Sequence, residues 1–435
     1  LSLKLAIDGL QCYNSYCPIH WLIFDQHYPT VGVIMIEVPL SGNSDWRKVL
    51  KTLPLPLSVE NDPLLAECLN SIISGGYVDV EKGLQLFESS NLSGISALAD
   101  LIKKSRFGNH VYFNDNLHVN TTNICVLACR FCAFRKGPRH NDAYALSVEE
   151  YLHRIEPFSQ MIDEVHSVGG LHPDWTVTYY EELYSAAKKM YPNIHIKSLT
   201  AVEVKHISSR SGITVKETLS RLKSAGLDSL PGGGAEILVD TVRNRICRGK
   251  ESSDEYLKIH ETAHQLGIKT NCTMLFGTVE TLRERAIHLS KLRNQQDRSK
   301  GFQCFVPYPF LPDKTRLPEA QLASMNEIIR VIAVSRIMLD NIPHIKAYRM
   351  NIGSHVASIA LNSGADDIDG TVNHEEIMHE AGSSAKLDSD SDELARLIEN
   401  VDSVPVKRNT TYTHFTRYQR KPDRGRRNLP VAQLV

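Results

Sequence analysis

Three cysteines fall within eight residues, Cys125, Cys129 and Cys132, in the spacing C-x3-C-x2-C. Thiolates bind soft metals, and iron–sulfur clusters are held by cysteines at short, regular spacings of this kind. Three ligands on a four-iron cluster leave one iron open. An open metal position is where chemistry occurs, as it separates catalytic from structural zinc sites. Three plainer readings stand beside this one. A structural zinc site needs a fourth ligand, and although His118 and His140 are near in sequence, no second C-x2-C exists. A disulfide would leave one thiol over. Buried cysteines can also pack simply as small hydrophobes.

Other residues with chemical reach fall in short loops. Gly169-Gly170 is either a plain turn or a place where backbone approaches a ligand, its free N–H groups able to bind a carboxylate. His172 follows it, a candidate proton donor or carboxylate partner. Glu203 sits at an expected strand end, where a carboxylate can take an amino or hydroxyl group. Gly232-Gly233-Gly234 lacks the spacing of a dinucleotide fingerprint, so ligand lining is its better reading, with Glu236 pointing in or capping the turn. Asn271 and Thr273 offer polar groups at the end of an apolar run, and Met274 reads as core. Arg243, Arg245 and Arg349 are able to pair a carboxylate, although a solvated surface is the ordinary place for arginine. Cys247, Cys272 and Cys304 have no cluster spacing and read as buried singles.

The elements that position these residues follow a repeat. Residues 63–106 read as three small helices, a cap broken at Gly75-Gly76. From about residue 115 a short apolar run, a polar loop and a helix recur. The helix starts carry Ser or Thr with Glu three later, the capping-box pattern: Ser147/Glu150, Thr178/Glu181, Thr214/Glu217, Ser252/Glu255, Thr281/Glu284 and Ser324/Glu327. The runs are 118–125, 161–168, 195–201, 226–230, 268–276 and 302–306. Their mixed polarity suits inner strands around a wet site. Six β-α units imply an α/β fold, a partial or full TIM-like (β/α) barrel behind a helical cap. In such barrels the active site lies at the C-terminal strand ends, and every loop named above falls there. The segment 341–350 reads as extended. Residues 364–371 read as a structured loop near the mouth, without EF-hand spacing.

The expected layout is an unassigned extension over 1–62, the cap over 63–114 and the barrel over 115–382. A C-terminal helix and strand follow over 383–418, then a basic, disordered tail over 419–435. Lys and Arg number 49 against 50 Asp and Glu, so no overall field argues for nucleic acid. Nine scattered cysteines in 435 residues suit a reducing cytoplasm, as a labile cluster does. No window has the ~18–20 apolar residues of a membrane span. No signal peptide is expected at the start of the sequence.

At the cysteine loop the chain resembles the radical S-adenosylmethionine (SAM) superfamily. The resemblance implies that Cys125, Cys129 and Cys132 hold a 4Fe-4S cluster whose open iron chelates SAM, and that the reduced cluster cleaves SAM to an adenosyl radical. Phe131 fills the aromatic position before the third cysteine, implied to lie beside the adenine. Within the superfamily, residues 63–418 are similar to the aminofutalosine synthase family of the futalosine route to menaquinone. The matching stretches are 120–125, 133–134, 169–174, 200–203, 229–236, 273–277, 340–348 and 364–371. That family joins SAM to 3-(1-carboxyvinyloxy)benzoate. The resemblance implies Gly169, Gly170, Glu203 and Asn271 for SAM, with His172, Gly233, Glu236 and Thr273 for the substrate. It also implies a low-potential electron donor such as flavodoxin or ferredoxin. The sister cyclase of dehypoxanthine futalosine is the alternative within the superfamily; the His-Pro after Gly-Gly and the Gly-Ala-Asp-Asp motif favour the synthase. A cluster-bearing electron-transfer protein or a zinc structural protein is the alternative of another class. Neither needs six loops of Gly and polar residues meeting at one mouth.

Overall fold

The structure is a computed structural model, which describes residues 38–387 and 389–421. The expected basic tail therefore lies almost wholly outside the described residues, as do Cys12 and Cys17. The three cap helices are Pro63–Ile73, Val80–Glu88 and Leu92–Phe107. The first shows why. Asp62 accepts the N–H groups of Leu64 and Leu65, Pro63 opens the helix, and Leu65, Cys68, Leu69 and Ile72 line its buried face.

Among the described residues eleven strands follow the cap: β1 (His110–Asn114), β2 (Asn116–His118), β3 (Glu164–Ser167), β4 (His195–Ser198), β5 (Ser229–Leu230), β6 (Lys269–Phe276), β7 (Phe302–Pro309), β8 (His344–Ile345), β9 (Asp367–Gly370), β10 (Val404–Arg408) and β11 (Phe415–Arg417). Strands β2 to β8 form one parallel sheet in sequence order. The six expected runs are β2 to β7. The first is displaced, since β2 ends at His118 and residues 119–124 are a buried loop leading into Cys125.

The ring is joined by β9, which the sequence reading treated as a loop. The Ala347 N–H donates to Asp367 and that of Asp366 to Ile345, while on the other side Thr371 donates to Asn114 and His118 to Asn373. Both edges of the seven-stranded sheet thus reach the same segment. Its Asp-Asp-Ile-Asp-Gly sequence hides a strand because its acids meet the polar barrel interior. There Lys346 pairs with Asp369 at 2.5 Å and Lys197 with Glu164 at 2.7 Å. β9 and β10 also flank β1 in a second sheet, with β11 antiparallel on β10. Beyond β10 the chain plugs the N-terminal end of the barrel. Arg408 donates to Asp367 at 2.7 Å, Thr410 to Glu164 at 2.7 Å and Tyr412 to Asp367 at 2.8 Å. These bonds pair the buried charges of the floor, and in barrels of this kind ligands enter at the C-terminal strand ends.

The capping boxes are complete at Ser147, Ser252 and Thr281, and the hydroxyls of Thr214 and Ser324 cap as expected. Thr178 does not. It lies inside the helix Val177–Met190, whose first N–H is taken by Ser211 Oγ at 2.9 Å. No helix among the described residues is long and apolar enough to cross a membrane.

Candidate active site

The cysteine loop is held by backbone from three directions. Cys125 N–H donates to the Lys136 carbonyl, Val126 N–H to that of Leu171, and Arg130 N–H to that of Ile246. Arg316 clamps the middle, donating to the Ala128 and Cys129 carbonyls at 2.8 and 3.3 Å. The Cys132 thiol lies within electrostatic reach of those of Cys125 and Cys129. Burial pushes the Cys129 thiol up to about 12 and raises that of Cys132, so both carry protons that a metal must displace. Lys250 opposes this at both thiols. Its ammonium stands 5.5 Å from the Phe131 ring centroid and pairs with Glu236 at 2.5 Å. The sequence reading missed Lys250. Its only signal was a basic residue close after the Gly-rich loop.

Gly169-Gly170 packs directly on the chain leading into Cys125. Gly170 donates to the Thr122 carbonyl at 2.7 Å. A Cβ on Gly170 would stand 2.2 Å from the Ile124 oxygen and 3.1 Å from Cys125 Cβ. Glu203 fastens the same loop from behind. It does not end a strand; it lies in the first turn of the helix Ala201–Ser211, in a complete capping box with Thr200. One carboxylate oxygen accepts the Gly169 N–H at 2.9 Å, the other the Thr200 N–H and hydroxyl at 2.7 and 2.6 Å.

Burial raises the Glu203 carboxyl to about 7 against those three donors. The folded state therefore holds a proton that the unfolded chain releases above its ordinary value. This contribution is fully present below about pH 4.5 and is lost as the pH rises to about 7, an effect on the order of 3 kcal/mol. Glu203→Gln is expected to flatten the fall in stability between pH 5 and 7 and to lower stability at neutral pH by about 1–2 kcal/mol, because an amide cannot accept on both sides. Urea melts of both proteins across that range read the difference; parallel pH profiles overturn the assignment.

The Gly-rich loop after β5 closes against β6. Gly232 carries the strict requirement, with φ at +84° and a Cβ position 2.1 Å from the Asn271 oxygen. A Cβ on Gly233 would stand 3.0 Å from the Thr200 methyl. Thr273 donates to the Gly232 carbonyl at 3.0 Å. Arg243 is buried and structural, its guanidinium donating to the Gly234 carbonyl at 3.2 Å and to Glu251 Oε1 at 3.0 Å. The Asn271 side chain is buried, and no hydrogen bond involves its amide among the described residues. His172 stands farther out on the rim, its ring stacked on Trp175 at 4.5 Å. Its Nδ1 accepts the Asp174 N–H at 3.2 Å, which leaves Nε2 to carry the proton of the neutral ring.

Residues 119–292 match the radical SAM superfamily, and residues 299–421 match the CofH/MqnC C-terminal region. The chain is 38% identical to the aminodeoxyfutalosine synthase of Thermus thermophilus, over 81% of this chain and 96% of that protein. The chain belongs to the radical SAM superfamily. It is also 36% identical to the cyclic dehypoxanthine futalosine synthase of Streptomyces coelicolor, over 81% of this chain and 89% of that one. A crystal structure of methylornithine synthase shares the fold, with a TM-score of 0.62 at 18% identity, covering 77% of this chain and 96% of the other.

Membership implies a 4Fe-4S cluster and SAM, and the residues fit both. Three soft donors share one loop. Among the described residues no three His, Cys, Asp or Glu side chains close on a single metal ion, whereas a cluster takes one thiolate per iron. The Gly170 contact leaves backbone bare of side chain beside Cys125, and the unpartnered Asn271 amide suits a nucleoside.

Proposed function

We propose that the chain is an aminodeoxyfutalosine synthase, joining the adenosyl part of SAM to 3-(1-carboxyvinyloxy)benzoate, with uptake of one water, to give 6-amino-6-deoxyfutalosine, methionine, bicarbonate and a proton. The observation that carries this reading is the 38% identity over nearly the whole length of the Thermus enzyme. When bound, the cluster and SAM supply the adenosyl radical. Cys125, Cys129 and Cys132 hold the cluster as three thiolates, leaving one position for SAM. Phe131 lies against the adenine, the Gly169 and Gly170 backbone receives the methionine end, and Asn271 takes the nucleoside. Glu203 serves the same ligand by fixing Gly169. Gly233, Thr273 and Glu236 shape the substrate side, where Lys250 keeps the Glu236 charge balanced. His172 presents Nε2–H from the rim to a substrate oxygen. The hydrogen-bonded floor shields the radical from below and leaves the mouth as the route for the water that bicarbonate formation consumes. The reducing electron comes from a flavodoxin or ferredoxin reaching the loop tip, where Val126 is 51% exposed. A labile cluster and scattered thiols support a reducing cytoplasm as the protein's compartment.

Anaerobically reconstituted, reduced protein supplied with SAM and the carboxyvinyloxybenzoate is expected to form aminodeoxyfutalosine by mass spectrometry. The 36% identity to the cyclase sets the second reading. Cyclisation of dehypoxanthine futalosine with release of 5′-deoxyadenosine, and no product from the benzoate, would replace the first reading by the second.

A further inference from the structure

Arg349 follows β8 at the barrel mouth, and its side chain is 3% exposed, not the solvated arginine of the ordinary reading. Nη1 donates to the Lys386 carbonyl at 3.1 Å. That bond fixes the guanidinium but uses only one side of it. Nε and Nη2 are both buried and have no partner among the described residues. These two nitrogens share the edge that grips a carboxylate with two parallel hydrogen bonds.

Among the described residues no free carboxylate meets that edge. The acids that act electrostatically on Arg349 are Asp369 and Glu393. Asp369 is held by Lys346 at 2.5 Å, and Glu393 by Lys386 at 2.5 Å. A buried guanidinium with an unmatched edge is costly, so it is a site awaiting an anion. The neighbours suit one with a flat apolar body. Tyr348 and Tyr308 meet edge to face at 5.4 Å, within an apolar cluster that includes Val306, Met350 and Val372. Tyr308 belongs to the C-terminal half of β7, and Asn351 ties the start of Arg349's helix to the Pro309 carbonyl at 3.2 Å. The site therefore faces the same end of the barrel as the cysteine loop.

We propose that Arg349 is a substrate-binding residue whose Nε/Nη2 edge grips a carboxylate of an aromatic or enol-ether acid lying in the barrel mouth. In its finer form, a carboxylate of the carboxyvinyloxybenzoate, this rests on the synthase reading.

Calorimetric titration of the reconstituted, SAM-loaded enzyme tests both parts without turnover. The probes are sodium benzoate and the unreactive saturated ether 3-(1-carboxyethoxy)benzoate. Benzoate is expected to bind wild type and to bind Arg349→Gln roughly ten- to hundredfold more weakly. Arg349→Lys, which keeps the charge and loses the fork, falls between them. SAM affinity stays unchanged in both variants. A crystal structure of wild type with benzoate should place the carboxylate on the Nε/Nη2 edge, whether or not the variants fold. Benzoate that binds wild type and variants alike, that fails to bind wild type, or that lies elsewhere in the crystal overturns the assignment. If benzoate depends on Arg349 but the ether binds no tighter than benzoate, the assignment stands and the synthase reading falls.

Discussion

Alanine at any one of Cys125, Cys129 or Cys132 is expected to lower product formation by roughly three orders of magnitude or more, because each change removes one of the three loop thiolates that would hold the cluster. Iron and acid-labile sulfide should fall together, along with visible absorption of the reconstituted protein. The barrel should persist, since the loop lies outside the strands and is held by backbone bonds from Lys136, Leu171 and Ile246. Near-unchanged circular dichroism beside lost iron is the diagnostic pair. Cys304→Ala serves as the control. That thiol is buried on β7, within electrostatic reach of Asp367 and Arg408 at the floor, and its loss should cost stability without removing iron. Full iron content in a Cys125, Cys129 or Cys132 variant would sink the three-ligand assignment.

Gly170→Ala is the second large effect. The added methyl meets the oxygen of Ile124 at 2.2 Å and its carbonyl carbon at 2.7 Å, contacts that real side chains do not make. These atoms are backbone and cannot swing away. They are also tied in place, since Gly170 donates to Thr122 at 2.7 Å and Val126 to Leu171 at 3.1 Å. Relief requires the two loops to separate at the point where Cys125 is held. Stability should fall by about 1–3 kcal/mol. SAM affinity and iron retention should suffer more, with SAM binding weakened about a hundredfold. Gly137→Ala provides the comparison, because a Cβ there meets nothing within 4 Å. Equal SAM affinities for the two variants would remove Gly170 from the cofactor site.

The cysteine spacing, the strands β3 to β7 and most helix starts were legible because each is written locally, in short apolar runs and hydroxyl–Glu pairs. β9 was not. A strand lining a charged interior carries acids where pattern reading expects apolar residues, and partners elsewhere in the chain, among them Lys346, Arg408 and Tyr412, make those acids acceptable. Thr200–Glu203 carried the same capping signature as the other helices. It was passed over because the adjoining apolar run read as one continuous strand. Arg349 shows a further limit. Whether an arginine is solvated or buried with an unmatched edge depends on where Asp369 and Glu393 find their own partners, and no local pattern records that.

The way the ring is joined has a consequence for how the protein is made. Residue 110 pairs with residue 404, and residue 114 with residue 370. During synthesis the cysteine loop leaves the ribosome long before the segments that complete the ring and plug its floor. Until residues 366–417 emerge, both edges of the growing sheet are open to stray pairing. Closure over such long chain separations is slow. Assembly therefore includes an interval in which the thiols are displayed on an unfinished barrel, open to an iron–sulfur carrier before the mouth takes its final shape.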